Sequence, residues 1–413
     1  MRTSLGIDGP TDVGARSLGR PRIVAFAFSC EPGAGSEPGT GWLWARMLAG
    51  IGETWVIVRR FPARVDAIAR ALERIPERAS LHFIHLDDPP LAERRSWATH
   101  PLWGRVEYLL WQRSALRLAR DLHQQIRFDL AWHLTYANAW FGSLAAQIGP
   151  PFVYGPVGGG LGPPWRLVPA LGASGTMHEV ARTGGRLLGR HANPVARIAW
   201  ERARLILVQN PETREWLPEP HRSKAIVFPN VVMDEPRLPA RPPRDPASPP
   251  TAFFAGRLLA WKGVALALHA MRLLPEWRLV ICGDGAEESR LRRLCGALGL
   301  DHRVTFRGWL SRDRLREAMR EEGDVFLFPS LHDEGCWAVG EAISWGLPAV
   351  CLDRGGPPIL ATRTVPATGL ADTVAGLARA LEAVRGAVPA VPALDMASRR
   401  ADLAAALAEA RLI

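Results

Sequence analysis

The sequence predicts two α/β domains, each built on a parallel sheet, joined by a proline-rich linker. Three observations carry this expectation. The 413 residues exceed what one hydrophobic core can hold, because single cores stop growing at about 250–300 residues. Short β-branched or aromatic runs alternate with longer helical patterns, the order that builds parallel sheets. Between two sets of such runs lies 235–250 (EPRLPARPPRDPASPP), which carries seven prolines. Proline lacks a backbone donor and fixes φ, so this stretch joins neither sheet.

The elements follow in chain order. Residues 1–20 contain no apolar stretch of the kind that directs secretion, and read as a disordered lead-in. Strands are expected at 22–29, 55–59, 81–85, 129–133, 152–154, 205–209 and 225–228, giving a first domain over 21–234. After the linker, strands at 252–255, 278–282, 304–306, 325–328 and 349–352 place a second domain over 251–390. A last segment, 391–413, ends in a helical pattern at 397–410 that can pack back on the first domain.

Composition narrows the function classes. Hydrophobic residues make up 47% and charged residues 22%, as in ordinary soluble domains. No apolar run reaches the roughly 18–20 residues of a membrane span. The five cysteines are scattered without a C-x-x-C pair. That argues against a disulfide or metal framework and for a reducing, cytoplasmic setting. A net charge of +10 points to anionic partners, yet no nucleic-acid-binding motif accompanies it. Only Lys224 and Lys262 among 51 basic residues are lysines. A coding bias toward arginine accounts for that ratio, and it makes each lysine worth inspection.

A helical pattern at 105–124 puts Arg113, Arg117 and Arg120 on one face. The plain reading is a helix packed on its domain with solvated arginines. The alternative is peripheral docking on an anionic membrane, at the inner face. The 16 tryptophans, mostly in the first half, suit sugar stacking or membrane-edge contact equally.

Two segments carry chemistry. At 253–263 (FFAGRLLAWKG) a strand ends near Gly256, and Arg257 and Lys262 project from the connection that follows. Ligands of open α/β sheets bind at such strand ends, beside helix N-termini. Two cations there suit a diphosphate, although a basic surface loop has the same appearance. At 324–348 (DVFLFPSLHDEGCWAVGEAISWGLP) a buried strand runs into a turn holding Asp333 and Glu334. A helix beginning near Trp337 then carries Glu341. The early N–H groups of that helix, at Trp337, Ala338 and Val339, are available to oxygens of a ligand. Carboxylates accept hydrogen bonds from sugar hydroxyls; the competing reading is helix capping.

Read together, these segments resemble the retaining GT-B glycosyltransferases of group 1, or family 4. The match consists of Gly256-Arg257 with Lys262-Gly263, Gly283-Asp284-Gly285, Asp324-Val325, Pro329-Ser330, Glu341-Ala342, Gly346, Pro348 and Gly355-Gly356. The resemblance implies a GT-B fold with two Rossmann-like domains facing across a cleft. It implies transfer of a hexose-type unit from a nucleotide-diphosphate sugar, with retention and without a metal or other cofactor. By the same resemblance Arg257 and Lys262 neutralise the diphosphate, Glu341 binds the ribose and Asp333 the donor sugar. Trp309 and Leu310 border the base, and Gly256, Gly283, Glu334, Cys336, Trp337, Ala338 and Val339 complete the donor site. Two departures stand out: Asp333 stands where the family has glutamate, unless Glu334 takes that place, and Cys336 replaces a usual glycine.

The glycine-rich turn 31–44 (EPGAGSEPGTGWLW) resembles the loop that this family places between acceptor and diphosphate, with Gly35, Ser36, Glu37 and Gly39 as candidates. His133, at the end of a strand, matches a histidine that the family often carries near the reacting sugar; a buried structural histidine is the alternative. Gly158-Gly159-Gly160 reads as a further loop at the cleft edge. Sugar, lipid-linked and small-molecule acceptors all suit the resemblance. A catalytically degenerate GT-B protein that only binds a nucleotide sugar is the competing function.

Overall fold

The computed structural model describes residues 7–8, 19–87, 101–234, 238, 245 and 247–413. Among these, eight strands form one sheet: β1 (Ile7–Asp8), β2 (Arg22–Ala27), β3 (Glu53–Arg59), β4 (Leu81–Leu86), β5 (Leu130–His133), β6 (Phe152–Val157), β7 (Ala203–Val208) and β8 (Ala225–Val227). Six form the other: β9 (Thr251–Ala255), β10 (Arg278–Cys282), β11 (Val304–Gly308), β12 (Val325–Phe328), β13 (Ala349–Leu352) and β14 (Arg363–Val365). From β2 onward every pairing is parallel. The expected pair of Rossmann-like sheets is therefore present.

The helices of the first half are α1 (Ser36–Ile51), α2 (Pro62–Leu72), α3 (Pro101–Ile126), α4 (Gly172–Ala192), α5 (Pro194–Arg202), α6 (Pro211–Trp216) and α7 (Glu219–Arg222). Those of the second are α8 (Val264–Arg272), α9 (Glu288–Ala297), α10 (Arg312–Glu322), α11 (Trp337–Ser344), α12 (Leu370–Val384) and α13 (Met396–Glu409). Side chains of a strand alternate between faces, so β5 feeds two cores. Leu130 and Trp132 join the apolar cluster beneath α1, while Ala131 joins the cluster on the opposite face with Trp111 of α3. The second sheet is enclosed in one large cluster that includes Phe253, Phe326 and Leu377.

Strand order fixes where a ligand can bind. The first sheet runs β1-β4-β3-β2-β5-β6-β7-β8, and the second β11-β10-β9-β12-β13-β14. The direction of winding reverses between β2 and β5, and again between β9 and β12. At such a switch point the connections leave to opposite sides and open a crevice beyond the carboxyl ends.

Two features were not foreseen. The reading of 1–20 as a disordered lead-in is corrected at β1, where Ile7 and Asp8 pair antiparallel with Ile84 and Phe83. An edge strand offers unpaired backbone groups that even two residues can take up. Residues 1–6 and 9–18, and most of the linker 235–250, lie outside the described residues. The second addition, β14, is a three-residue edge strand beside Val350–Leu352, too short to show a periodicity. At the other end of the chain, Leu403 and Leu407 of α13 are buried in the first domain's core. Arg400 of the same helix binds Glu77 at 2.7 Å.

Candidate active site

The connections that leave both switch points meet around one cavity of about 580 Å³. Gly35, Ser36 and Glu37 follow β2, and Leu134 and Ala137 follow β5. From the second sheet, Gly256 and Arg257 follow β9, Gly283 follows β10, and Asp333 follows β12. Trp309 and Leu310, after β11, line it too, with Trp309 71% exposed.

Local geometry sets the two cations. After β9 the chain makes a single 3-10 turn, Ala260–Lys262, and Gly263 ends it with φ +73°. A Cβ at Gly263 would lie 1.9 Å from the Pro329 carbonyl oxygen, so only glycine lets the turn seat against β12. Lys262 Nζ then reaches Asp333 Oδ2 at 2.5 Å and lies 5.1 Å from the centre of the Phe328 ring. Arg257 lines the same cavity and is exposed, and its side chain has no hydrogen-bond or ion-pair partner among the described residues. Its guanidinium is available to an anion.

Glu341 sits in the second turn of α11. Its carboxylate accepts from the Trp337 indole N–H at 3.1 Å and pairs with Arg312 Nε at 3.0 Å. Sequence reasoning missed Arg312. It is the first residue of α10, after the capping Ser311, and nothing in the motif spacing marks it. Trp337 and Ala338 line the cavity beside Glu341.

On the facing wall, Glu37 in the first turn of α1 accepts the Ala137 N–H at 2.8 Å. Burial pushes its carboxyl above the usual range, against the opposing pull of the Ala137 and Tyr136 backbone groups. Ser36 beside it holds φ +58°, a conformation rare outside glycine.

Glu334 faces the cavity but is committed to joining the domains. Its carboxylate accepts from Asn210 Nδ2 at 2.9 Å, Thr213 Oγ1 at 3.1 Å and the Leu161 N–H at 3.3 Å. His332 Nε2 lies 3.3 Å away, and its Nδ1 is 3.4 Å from Glu179 of α4. Burial works to raise the Glu334 pKa, but His332, Asn210 and the Gly159 backbone hold it at about 2. The loop around Gly158-Gly159-Gly160 thus meets the second domain through Glu334. Because this carboxylate is taken, Asp333 is the acid turned to Lys262.

Four candidates fall outside the cavity lining. His133 is 1% exposed, on the face of β5 opposite Leu134, with its ring 5.2 Å from that of Tyr154. Strand alternation sends 134, not 133, into the cleft. Burial lowers the His133 pKa to about 4. Gly39 lies within α1, where a Cβ would stand 1.9 Å from the Ala34 carbonyl oxygen; its smallness lets the loop fold onto the helix. Cys336 caps α11 with a buried thiol that burial pushes up to about 12. Val339 is 0% exposed and packs into the core.

Residues 240–382 match the family model of glycosyl transferases group 1. Over these residues, about a third of the chain, it is similar to the group 1 glycosyltransferases. A D-inositol 3-phosphate glycosyltransferase of Mycolicibacterium gilvum is 37% identical over 121 residues, 28% of this chain and 27% of that one. The match spans about a quarter of the length of the first curated relatives. Whole-chain likeness comes from solved structures. The lipopolysaccharide outer core galactosyltransferase WaaB aligns with a TM-score of 0.63 at 13% identity, over 94% of this chain and 99% of that one. Anabaena Alr3699/HepE in complex with UDP and glucose aligns with a TM-score of 0.55 at 16% identity, over 94% and 100%. At these identities the likeness establishes the GT-B fold. The likeness to group 1 thus lies in the second domain, which holds Arg257, Lys262, Asp333 and Glu341.

Proposed function

We propose that the chain moves a hexose-type unit from a nucleotide-diphosphate sugar to an acceptor hydroxyl, with retention at the anomeric carbon. The observation that carries this reading is the free Arg257 guanidinium sharing a cavity with the Lys262–Asp333 pair. A cleft of about 580 Å³ is within the range of small-ligand sites, and two cations at strand ends match a diphosphate.

In the proposed reaction the bond from the anomeric carbon to the diphosphate oxygen breaks, and Arg257 and Lys262 offset the charge that develops on the leaving group. The acceptor hydroxyl attacks from the same face and gives its proton to the departing phosphate oxygen. Charge compensation falls to side chains, so the reading calls for no metal and no further cofactor. Glu341, steadied by Arg312 and Trp337, takes the ribose hydroxyls. Asp333 addresses the sugar beyond the diphosphate. Glu37 and the 134–137 loop, on the opposite wall, lie where an acceptor enters. The candidate acceptors are sugar, lipid-linked and small-molecule hydroxyls, in glycan, glycolipid or exopolysaccharide synthesis.

A screen of nucleotide sugars for thermal stabilisation tests the reading, since a ligand of the folded state raises apparent stability by mass action. One donor is expected to raise the melting temperature and to release nucleoside diphosphate when an acceptor is supplied. No stabilisation by any donor would overturn it.

A further inference from the structure

Helix α4 is inside out for an element on the surface of a protein in water. Amphipathic surface helices turn an apolar stripe to the core and charge to solvent. Here Glu179 is 1% and Arg182 9% exposed, paired at 2.8 Å, with Glu179 also 3.4 Å from His332. The outward stripe holds Met177 at 69%, Val180 at 55%, Leu187 at 49% and Leu188 at 67%, and Trp165 just before the helix is 59% exposed. Helix α3 shows the ordinary arrangement, with Trp111, Ala115 and Ala119 buried and Arg113, Arg117 and Arg120 exposed.

Charge along α4 itself is cationic on its exposed surface. Between residues 162 and 198 the sequence has five arginines and a single acid, Glu179, which is buried. Arg166 is exposed beside the apolar row, Arg186 and Arg190 are half-buried along it, and Arg197 of the next helix pairs with Glu201 at 3.7 Å. A convex helix with aliphatic side chains and a tryptophan outward, flanked by cations and free of exposed acids, has the chemistry of an element lying in a lipid–water interface.

We propose that α4 docks the protein on an anionic bilayer, with Met177, Val180, Leu187, Leu188 and Trp165 entering the interface. This moves the membrane contact from α3, where the arginine row suggested it, to α4. The placement bears on the cleft. His178 of α4 stacks on Trp261 with ring centres 4.2 Å apart, and Trp261 is the neighbour of Lys262. Docking through α4 therefore holds the lysine turn, and the cavity it serves, next to the membrane surface, where a lipid-borne acceptor would arrive.

The test is flotation of the full chain with vesicles of phosphatidylcholine and phosphatidylglycerol, against phosphatidylcholine alone, with no nucleotide sugar present. Binding read this way does not depend on whether the transfer reaction is correctly assigned. The wild-type chain is expected to float with the anionic vesicles. Leu187→Glu/Leu188→Glu is expected to lose about tenfold or more of that binding, with the melting temperature unchanged. Arg113→Ala/Arg117→Ala is expected to bind as wild type. The proposal is overturned if the wild type does not float, or if the α4 double variant floats equally well. It is also overturned if the double variant converts a wild-type dimer to a monomer, which would assign the face to a second copy. A large drop in its melting temperature would show that the chain covers this face itself, with the same consequence.

Discussion

Lys262 and Asp333, 71 positions apart, form a 2.5 Å ion pair at the mouth of the second sheet. In the proposed reaction the pair holds the ammonium in place before a donor arrives. Lys262→Ala is expected to lower kcat/KM by about 10²–10³, the scale of losing one preorganised group facing developing charge. Arg257→Ala should have a similar effect, since its guanidinium is free to meet the other phosphate. Asp333→Asn should cost less, because the lysine survives but loses its anchor. Nucleoside diphosphate release under saturating acceptor measures all three, and wild-type rates in Lys262→Ala would place the diphosphate elsewhere.

In the proposed reaction Glu341 and Arg312 act on a part of the donor that does not react. Uniform binding of a remote group appears in KM rather than kcat. Glu341→Gln and Arg312→Ala are each expected to raise the donor KM about tenfold with a smaller change in kcat. Because the two side chains touch at 3.0 Å, the double variant should lose less than the sum of the singles. Donor titrations of the four proteins decide it; strict additivity would mean that the ion pair has no part in binding.

The acid cluster between the domains makes a prediction about pH. Glu334 and Glu179 are held at about 2, below a reference value of 4.5. A lowered carboxyl pKa stabilises the fold above the unfolded value and loses that contribution as pH falls toward the folded one. His332 is raised above its reference of 6.5, since its bonds to Glu179 and Glu334 outweigh burial. Its contribution is complete below 6.5 and is lost as pH rises through the raised value. The melting temperature of the wild type should therefore fall between about pH 4.5 and 2 and decline again on the alkaline side. His332→Gln should remove the alkaline decline. Calorimetry across pH reads both limbs, and an unchanged alkaline limb in the variant would exclude His332 as its source.

Glu37 has the opposite sign. Its raised carboxyl pKa, caused by burial, means that ionising it costs the folded state stability as pH climbs past 4.5. Glu37→Gln is expected to raise the melting temperature at neutral pH and to leave it unchanged at pH 4. The same variant should lower turnover if, as proposed, Glu37 lies on the wall where the acceptor enters. A variant more stable and fully active would reduce Glu37 to a loop-holding role.

The sequence by itself determined the two parallel sheets, since the run of strands and helices is a local pattern, and twelve strand positions were legible from it. It also placed Arg257, Lys262 and Asp333 after strand ends and Glu341 in the helix that follows, because that information lies in short motifs a few residues long. Contacts between distant segments were decided only by tertiary structure. Whether His133 or Leu134 enters the cleft depends on which face of β5 meets which core. Glu334 was captured by Asn210 and Thr213 of the other domain, 124 and 121 positions away, leaving Asp333 to Lys262. The pairing of Arg312 with Glu341 and the reversal of α4 have the same origin. A side chain's partner is set by packing between elements, and spacing along the chain holds no record of it.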